Sequence, residues 1–187
     1  MEFGKILEPV ITGIFAILAI WLRERWNLRH KPTLSETAER IKKIENILSE
    51  VQYELEADRV QEWVVTNGQQ TMTGHSIQKL SIFAEFNKPG VSSIAQTFQF
   101  IPASNLSRNI VSLAESNNYY ISNEHKINDD LSILHLSYGV KVLIFFKIFD
   151  SSGKWVGILS IGFSEPREFT NAELAFLKMK ASQLGSI

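Results

Sequence analysis

The side chains that could take part in chemistry are few, and they are scattered along the 187-residue chain. There is no cysteine, which excludes disulfides, thiolate metal sites and thiol nucleophiles. The four histidines show neither the i, i+4 pairing nor the clustering that a metal site needs, so we expect no bound metal. No Ser-His-Asp order, phosphate-binding glycine loop or catalytic pair of carboxylates stands out. We therefore expect no catalytic residues and no enzyme activity.

Six polar residues remain as candidates for holding a ligand. His75 lies in a polar turn and could titrate near neutral pH. Arg108 could clamp a carboxylate or phosphate with its guanidinium. Ser92 and Ser93 could offer hydroxyl and N–H groups to an anion, or could instead cap a helix that begins near Ile94. The predicted ligand-binding residues are His75, Lys79, Glu85, Ser92, Ser93 and Arg108.

The overall charge gives no bias towards a polyanion. The sequence has 19 Lys and Arg against 20 Asp and Glu, a formal net charge of -1. We therefore expect no nucleic-acid partner. The sequence also predicts no cofactor.

An apolar segment opens the chain at residues 6–22, where Glu8 is the only charged residue. A helix of this length would cover about 25 Å of a bilayer core of about 30 Å. Extension back to Phe3 makes up most of the difference. Four basic residues follow the segment, whereas Lys5 alone precedes it. Since positive charge stays on the cytoplasmic side, we predict a single-pass anchor over residues 1–31 with a cytoplasmic C-terminal domain.

Two other interpretations of this segment stay open. It could be a buried core helix of a soluble protein, because the apolar run is short and Pro9 interrupts its start. It could also be a basic, Trp-flanked segment that lies in the membrane interface. A secretory signal is disfavoured, because no small-residue cleavage site follows the apolar run.

A heptad pattern follows over residues 32–55, with apolar positions that recur every seven residues and again three residues later. Ser35 is the expected N-cap of this connecting helix. One hypothesis is a coiled coil that pairs two chains, and the other is one amphipathic helix packed on the next domain. We expect the first half to pair and the part from Leu48 to Leu55 to pack. The predicted dimerisation residues are Leu34, Ile41, Ile44, Leu48 and Val51.

Residues 56–187 alternate between strand and helix patterns. Asn67-Gly68 predicts a turn after the first strand, and Asp150 to Gly153 predicts a hairpin loop between the last two. Thr170 and Glu173 have the spacing of a capping box that opens a terminal helix. The pattern favours an α+β fold, an antiparallel sheet with helices packed on it. The predicted strands cover residues 59–66, 78–86, 119–122, 140–149 and 154–163.

Lys79 and Glu85 fall in the second predicted strand, six residues apart and therefore on one face. They are solvent-facing or cross-strand charges by default. They become ligand contacts only if that face lines a pocket. We expect any pocket to lie between the sheet and residues 74–108.

Three segments carry a resemblance to a known family. LEADRVQEWVVTNG resembles the opening of a GAF domain, and KVLIFFKIFDSSGKWVGILSIGFSEPREFTNAELAFLKMKASQLG resembles its closing part. The middle, GHSIQKLSIFAEFNKPGVSSIAQTFQFIPAS, resembles small GAF-like proteins of bacteria and their phages. The resemblance covers about residues 48–185. It implies a GAF-like antiparallel sheet with packed helices, and a ligand site between the sheet and the middle loops.

The sequence departs from the well-marked GAF subtypes. Asn87-Lys88 is present, but no Asp-Glu pair follows in the register of the cyclic-nucleotide binders. Without cysteine, a covalently attached bilin is excluded. The resemblance therefore implies a regulatory, ligand-sensing or protein-interaction module rather than a catalyst.

Together these features predict a membrane-anchored, homodimeric GAF-like module of signal transduction. The expected partners are the lipid bilayer, a second copy through the connecting helix, and another protein. The alternative is a structural adaptor of a membrane or phage-particle assembly that binds no small molecule. Fold alone does not decide between them.

Overall fold

A computed structural model describes residues 16–22, 33–70, 76–123 and 137–187. The chain divides into two compact units, Met1–Glu39 and Arg40–Ile187. In the first unit, residues 16–22 are helical. No helix among the described residues is both long and apolar enough to span a bilayer. The remainder of the predicted anchor, residues 1–15 and 23–31, lies outside the described residues.

Apart from residues 16–22 and the first six residues of the long helix α1, all of the described secondary structure lies in the second unit. The elements are α1 (Leu34–Leu55), β1 (Arg59–Gln70), β2 (Ser76–Asn87), β3 (Ile101–Pro102), a 3₁₀ turn (Ala103–Leu106), α2 (Ser107–Glu115), β4 (Tyr119–Asn123), β5 (Val142–Phe149), β6 (Trp155–Phe163) and α3 (Asn171–Gly185).

The six strands form one sheet in the order β3-β2-β1-β6-β5-β4, in which every pair of neighbours is antiparallel. Side chains of a strand alternate between its two faces. On one side, which we call the helix face, Val60, Ile144 and Leu159 belong to one core with α1 and α3. On the other side, the loop face, Trp63 and Phe145 pack against the chain between β2 and β4. The predicted α+β class is confirmed.

The connecting helix α1 packs its second half on the helix face. Ile44, Leu48, Val51 and Leu55 are at most 3% exposed and belong to the same core as the strands. Burial of each such side chain stabilises the fold by about 1.5–3 kcal/mol. The expectation that residues 48–55 pack on the domain is therefore confirmed.

This burial corrects the list of dimerisation residues. Ile44, Leu48 and Val51 are enclosed by their own chain, so they cannot also face a partner helix in this arrangement. Leu34 is 88% exposed and Ile41 is 37% exposed. Pairing of two chains stays a prediction. Of the five predicted dimerisation residues, Leu34 and Ile41 are the ones exposed enough to contact a partner helix.

Both long helices begin with a capping box. At α3 the side chain of Thr170 accepts from the N–H of Glu173, whose carboxylate accepts from the N–H of Thr170 at 2.7 Å. That prediction is confirmed. At α1 the same exchange joins Thr33 and Glu36, so Thr33 rather than the expected Ser35 caps this helix. The side chain of an N-cap residue bonds to the free N–H groups of the first helical turn, so the residue must precede that turn. Ser35 is already the second residue of the helix and therefore cannot cap it.

Two local predictions were wrong. Asn67-Gly68 forms no turn, because β1 continues to Gln70 and Asn67 pairs with Gln78. Pairing with β2 over this length outweighs the local turn preference. No helix begins at Ile94 either. Residues 95–97 make one turn and the chain then crosses the loop face.

Candidate functional site

A small cavity lies on the loop face, between the central strands and the chain that covers them. Its volume is about 80 Å³. Ala103 of the 3₁₀ turn lies within the segment expected to cover a pocket, and Ile110 of α2 lies two residues beyond it. The sheet side comes from β1, β2 and β6. The lining residues are Val65, Gln78, Leu80, Ala103, Ile110, Trp155 and Ile158.

The chemistry of this cavity is mostly apolar. Aliphatic side chains and the indole of Trp155 make up its wall, and Gln78 supplies the one amide. The indole N–H of Trp155 donates to the carbonyl of Gly157 at 2.7 Å, while the ammonium of Lys147 lies 5.6 Å from the ring centroid. These contacts hold the ring in place. Drug-sized ligands occupy pockets of about 300–1,000 Å³, so this cavity suits an apolar molecule of only a few heavy atoms.

Lys147 links the cavity wall to α2. Its ammonium donates to the carbonyls of Ala114 and Ser116, each at 3.0 Å. A cation at the C-terminal end of a helix satisfies free carbonyls and offsets the negative end of the helix dipole. The position of α2, which carries Ile110, is therefore coupled to β5 and to Trp155.

A polar network on the same face is centred on Glu85. One carboxylate oxygen accepts from Nη1 of Arg59 at 2.8 Å and from Nε2 of Gln61 at 2.9 Å. The other accepts from the hydroxyl of Ser93 and from the N–H of Ile94, the latter at 3.0 Å. A buried carboxylate needs several donors of this kind.

The network also reaches the backbone of the covering segment. Nη2 of Arg59 donates to the carbonyl of Ser92 at 3.0 Å, and the indole N–H of Trp63 donates to Oε1 of Gln61 at 3.2 Å. Burial alone would raise the pKa of Glu85. Hydrogen bonds from Ser93 and Gln61 outweigh burial and lower the pKa, with a further contribution from the charge of Arg59. The network thus fastens the segment after β2 to the sheet.

The predicted site residues fall into three groups. Glu85, Ser92 and Ser93 are brought together, but their polar groups bind one another and Arg59 rather than facing an open site. The physical reason is burial: the side chain of Glu85 is 4% exposed, so an internal cation partners it.

Lys79 and Arg108 lie apart from this network. Lys79 is half-buried in β2, where its carbonyl accepts from the hydroxyl of Thr66 at 3.3 Å. Arg108 is exposed in the first turn of α2. Neither residue lines the cavity. His75 lies outside the described residues.

Sequence reasoning missed Arg59, Gln61 and Trp155. Arg59 and Gln61 are two residues apart in β1, which places both polar side chains on one face of the strand. Their partner lies 26 and 24 residues away, and no local pattern identifies it. Within residues 16–22, 33–70, 76–123 and 137–187, no group of three His, Cys, Asp or Glu is arranged to hold a metal ion.

Comparison with solved structures shows the fold. A GAF domain of PixJ from Thermosynechococcus elongatus, in its blue-light-absorbing form, has a TM-score of 0.62 at 16% identity, over 83% of this chain and 88% of that one. The phycocyanobilin-bound GAF domain of a cyanobacterial phytochrome has a TM-score of 0.60 at 18% identity, over 89% and 90%. A domain assigned to a two-component sensor histidine kinase of Sinorhizobium meliloti 1021 has a TM-score of 0.54 at 16% identity, over 83% and 90%.

The chain therefore has the fold of a GAF domain, as the sequence resemblance predicted. No protein-family model matches the sequence, and no curated protein matches it significantly.

Proposed function

We propose that this protein is a non-catalytic regulatory module of the GAF type that senses a small apolar molecule in the cavity beneath Ala103 and Ile110. The cavity is the observation that carries the proposal. It lies between the loop face of the sheet and the chain that covers it, is lined mostly by apolar groups, and touches α2, which Lys147 ties to β5. A molecule that enters it would move a helix rather than a surface loop.

The size and chemistry of the cavity define the class of ligand. The similar GAF domains include one named as phycocyanobilin-bound. A tetrapyrrole is far larger than a cavity of about 80 Å³, and this chain has no cysteine to attach one. A small hydrocarbon, a short alkyl or aromatic group, or a dissolved gas matches both the volume and the apolar wall.

The remaining parts of the proposal come from the N-terminal segments. Residues 6–22 tether the protein to the bilayer, and the basic residues after them keep the C-terminal domain in the cytoplasm. Leu34 and Ile41, which are exposed on α1, pair two copies. The second half of α1 packs on the sheet, so α1 would carry a change in the domain towards the membrane and on to a protein partner.

Xenon is a suitable probe for the cavity, because apolar cavities bind it without needing hydrogen bonds. In the full-length chain in detergent micelles, xenon should shift the NMR signals of the Ile110 and Ile158 methyl groups. Ala103→Leu should abolish these shifts by filling the cavity. Ala114→Leu makes the same change at an exposed position of α2, so its shifts should match those of the unaltered protein. Native mass spectrometry of the same preparation should then reveal the natural ligand.

The alternative is an adaptor that binds no small molecule. The Glu85 network favours it, because it fastens the covering segment to the sheet and leaves little free volume. Unshifted methyl signals under xenon, together with a ligand-free mass, would exclude the sensor and leave the adaptor.

Membrane attachment is tested separately. Carbonate extraction should leave the full-length protein in the membrane fraction if residues 6–22 span the bilayer. Replacement of Arg23, Arg25, Arg29 and Lys31 by Asn should weaken or invert its orientation, as accessibility to an added protease would report. Release into the soluble fraction would refute the anchor without affecting the cavity.

A further inference from the structure

A second pocket lies on the helix face, between α3 and the part of the sheet formed by β4 and β5. We call it the α3 pocket, and its volume is about 160 Å³. Phe146 and Phe149 of β5 line its sheet side, together with Asn118, which directly precedes β4. Phe146 is 1% exposed, and its ring stacks on that of Tyr119 with 5.2 Å between the ring centroids. The sheet therefore gives the pocket a fixed aromatic wall.

The helix side of the pocket comes from one stripe of α3. Lys178, Ala181 and Ser182 are three and four residues apart, so they share one face of the helix. Ala181 is buried in the core of the helix face, which holds α3 in place. At the end of α3, a Cβ atom on Gly185 would collide with the carbonyl oxygen of Phe149, so glycine lets the helix approach β5 closely. Packed elements thus form both sides of the pocket.

Three of the lining residues carry hydrogen-bond donors. Lys178 and Ser182 are exposed, and Asn118 is half-buried. Within the part of the chain that the structure describes, none of these three side chains has a hydrogen-bond or ion-pair partner. Lys147 also lines the pocket, but its ammonium donates to two carbonyls at the end of α2. Lys178 therefore has an ammonium available for an anion, whereas Lys147 does not.

The backbone at Asn118 is strained. Its φ is 113°, in a region that residues with a side chain rarely adopt. The N–H of Lys147 donates to the carbonyl of Asn118 at 2.9 Å, and this hydrogen bond holds the conformation. Strain of this kind clusters at ligand sites, where the surrounding structure keeps a side chain in position. Here it keeps an amide at the wall of the pocket.

We propose that the α3 pocket binds a small aromatic carboxylate, of which benzoate is the simplest. Benzene fits an apolar cavity of about 150 Å³, so the volume matches one six-membered ring. The ring would pack against Phe146 and Ala181, while the carboxylate would accept hydrogen bonds from Lys178 and Ser182. The single charge of Lys178 matches a carboxylate better than a phosphate dianion. The proposal does not rest on the proposed function, because the cavity lies on the opposite face of the sheet.

An NMR titration of the full-length chain with benzoate tests the proposal. In micelles of a non-ionic detergent, benzoate should shift the methyl signal of Ala181 and the amide signals of Asn118 and Ser182. The dissociation constant should be about 1 mM, as befits a ligand of few heavy atoms. Nuclear Overhauser effects should join the benzoate ring to the Ala181 methyl group. Signals that stay unshifted up to about 20 mM benzoate would overturn the proposal.

Three other compounds separate the contributions of the ring and the charge. Acetate carries the charge without the ring, and benzyl alcohol carries the ring without the charge. Each should bind at least about tenfold more weakly than benzoate, because one lacks the apolar contact and the other lacks the charge-assisted hydrogen bonds. Inorganic phosphate should bind no better than acetate. If acetate or phosphate equals benzoate, the pocket is a general anion site. If benzyl alcohol does, it is an apolar site, and either result refutes the proposal.

A pair of variants locates the ligand in the α3 pocket. Ser182→Phe places a ring in the pocket from an exposed position and should abolish the shift of the Ala181 methyl signal. Gln183→Phe adds the same ring at the next exposed position of α3, which does not line the pocket, so benzoate should bind as in the unaltered protein. Binding that survives in Ser182→Phe would place benzoate elsewhere and contradict the assignment.

A second pair tests the role of the ammonium. Lys178→Gln should weaken benzoate binding about tenfold, because it removes a charge-assisted hydrogen bond. Lys43→Gln removes the same charge from an exposed position of α1 and should leave binding unchanged. Both lysines are exposed, so the fold should persist, and the amide spectrum of each variant checks this. Equal effects of the two variants would exclude a specific contact with Lys178.

Discussion

Nη1 of Arg59 lies 2.8 Å from Oε1 of Glu85, and the two side chains are only 3% and 4% exposed. The pair joins β1 to β2 on the loop face. Through Ser93 and the carbonyl of Ser92 it also holds the segment that leads to the cavity cover. Buried pairs of this kind matter most when one partner is removed, because the other charge then stays buried alone.

We expect Glu85→Gln to destabilise the protein by about 3 kcal/mol, because Arg59 would keep its charge without a counter-ion. Chemical denaturation at pH 7 measures the loss. The matched control is Glu165→Gln, which breaks the ion pair between Lys141 and Glu165. That pair spans 3.6 Å with Glu165 82% exposed, so its loss should cost less than about 1 kcal/mol. Equal effects in the two variants would contradict a structural role for the buried pair.

The same pair predicts how stability depends on pH. The pKa of Glu85 is lowered in the folded protein, so its contribution is complete above the unfolded value of 4.5 and is lost as pH falls through the folded pKa. The stability difference between the unaltered protein and Glu85→Gln should therefore shrink below pH 4.5. Denaturation curves recorded between pH 3 and pH 7 would show this, and a constant difference would contradict it.

The parts of the fold that the sequence predicts are those that depend on local patterns. The capping box at Thr170 and the hairpin between β5 and β6 involve residues close in sequence, and both form. The turn at Asn67-Gly68 does not form, because its local preference competes with pairing to β2. In each case the outcome follows from whether a distant strand competes with the local signal.

The site was harder to predict for a related reason. Glu85 and Ser93 were both predicted as ligand contacts, whereas in the structure the hydroxyl of Ser93 donates to the carboxylate of Glu85. Only the fold shows that Arg59, 26 residues earlier, neutralises Glu85. The heptad had the same ambiguity, because Ile44 and Leu48 fit a coiled coil and a sheet-packing helix equally well. Burial in the chain's own core decides it for these two residues.

Gly157 is needed where β6 pairs with β1. A Cβ atom at this position would lie 2.5 Å from the carbonyl oxygen of Trp63, which is backbone and cannot move aside freely. We expect Gly157→Ala to cost about 3 kcal/mol and to alter the fluorescence of the buried Trp63. Gly153→Ala is the control. It sits in a turn with φ of 78° and nothing within 4 Å, so it should cost only about 1 kcal/mol of backbone strain. A milder effect at Gly157 than at Gly153 would refute the close approach.

Pairing through α1 should depend on Leu34 and Ile41. The double variant Leu34→Asp, Ile41→Asp should convert a dimer to a monomer without unfolding the domain, because both residues are exposed within one chain. Sedimentation of the full-length protein in detergent measures this. Tyr53→Asp is the control, since Tyr53 is 79% exposed on α1 but lies off the seam. A protein that is already monomeric, or a dimer that survives the double variant, would exclude the coiled coil. Ile44→Asp is unsuitable, because it would place a charge in the core.

Glu62 should show the opposite pH dependence to Glu85. Its pKa is raised from 4.5 to about 7 in the folded protein, chiefly by burial. Its favourable contribution is therefore complete below pH 4.5 and is lost as pH rises through about 7, where ionisation forces a charge into the core. The full effect amounts to about 3 kcal/mol.

Glu62→Gln removes this ionisation and nearly preserves the shape of the side chain. The free energy of unfolding of the variant minus that of the unaltered protein should increase as the pH rises from 5 to 8, by about 3 kcal/mol at most. Denaturation curves at both pH values give this difference directly, and any constant cost of the buried amide cancels from it. Glu45→Gln, at an exposed site on α1, should leave the pH dependence unchanged. If Glu62→Gln and the unaltered protein change in parallel with pH, Glu62 does not ionise in this range, which would contradict the prediction.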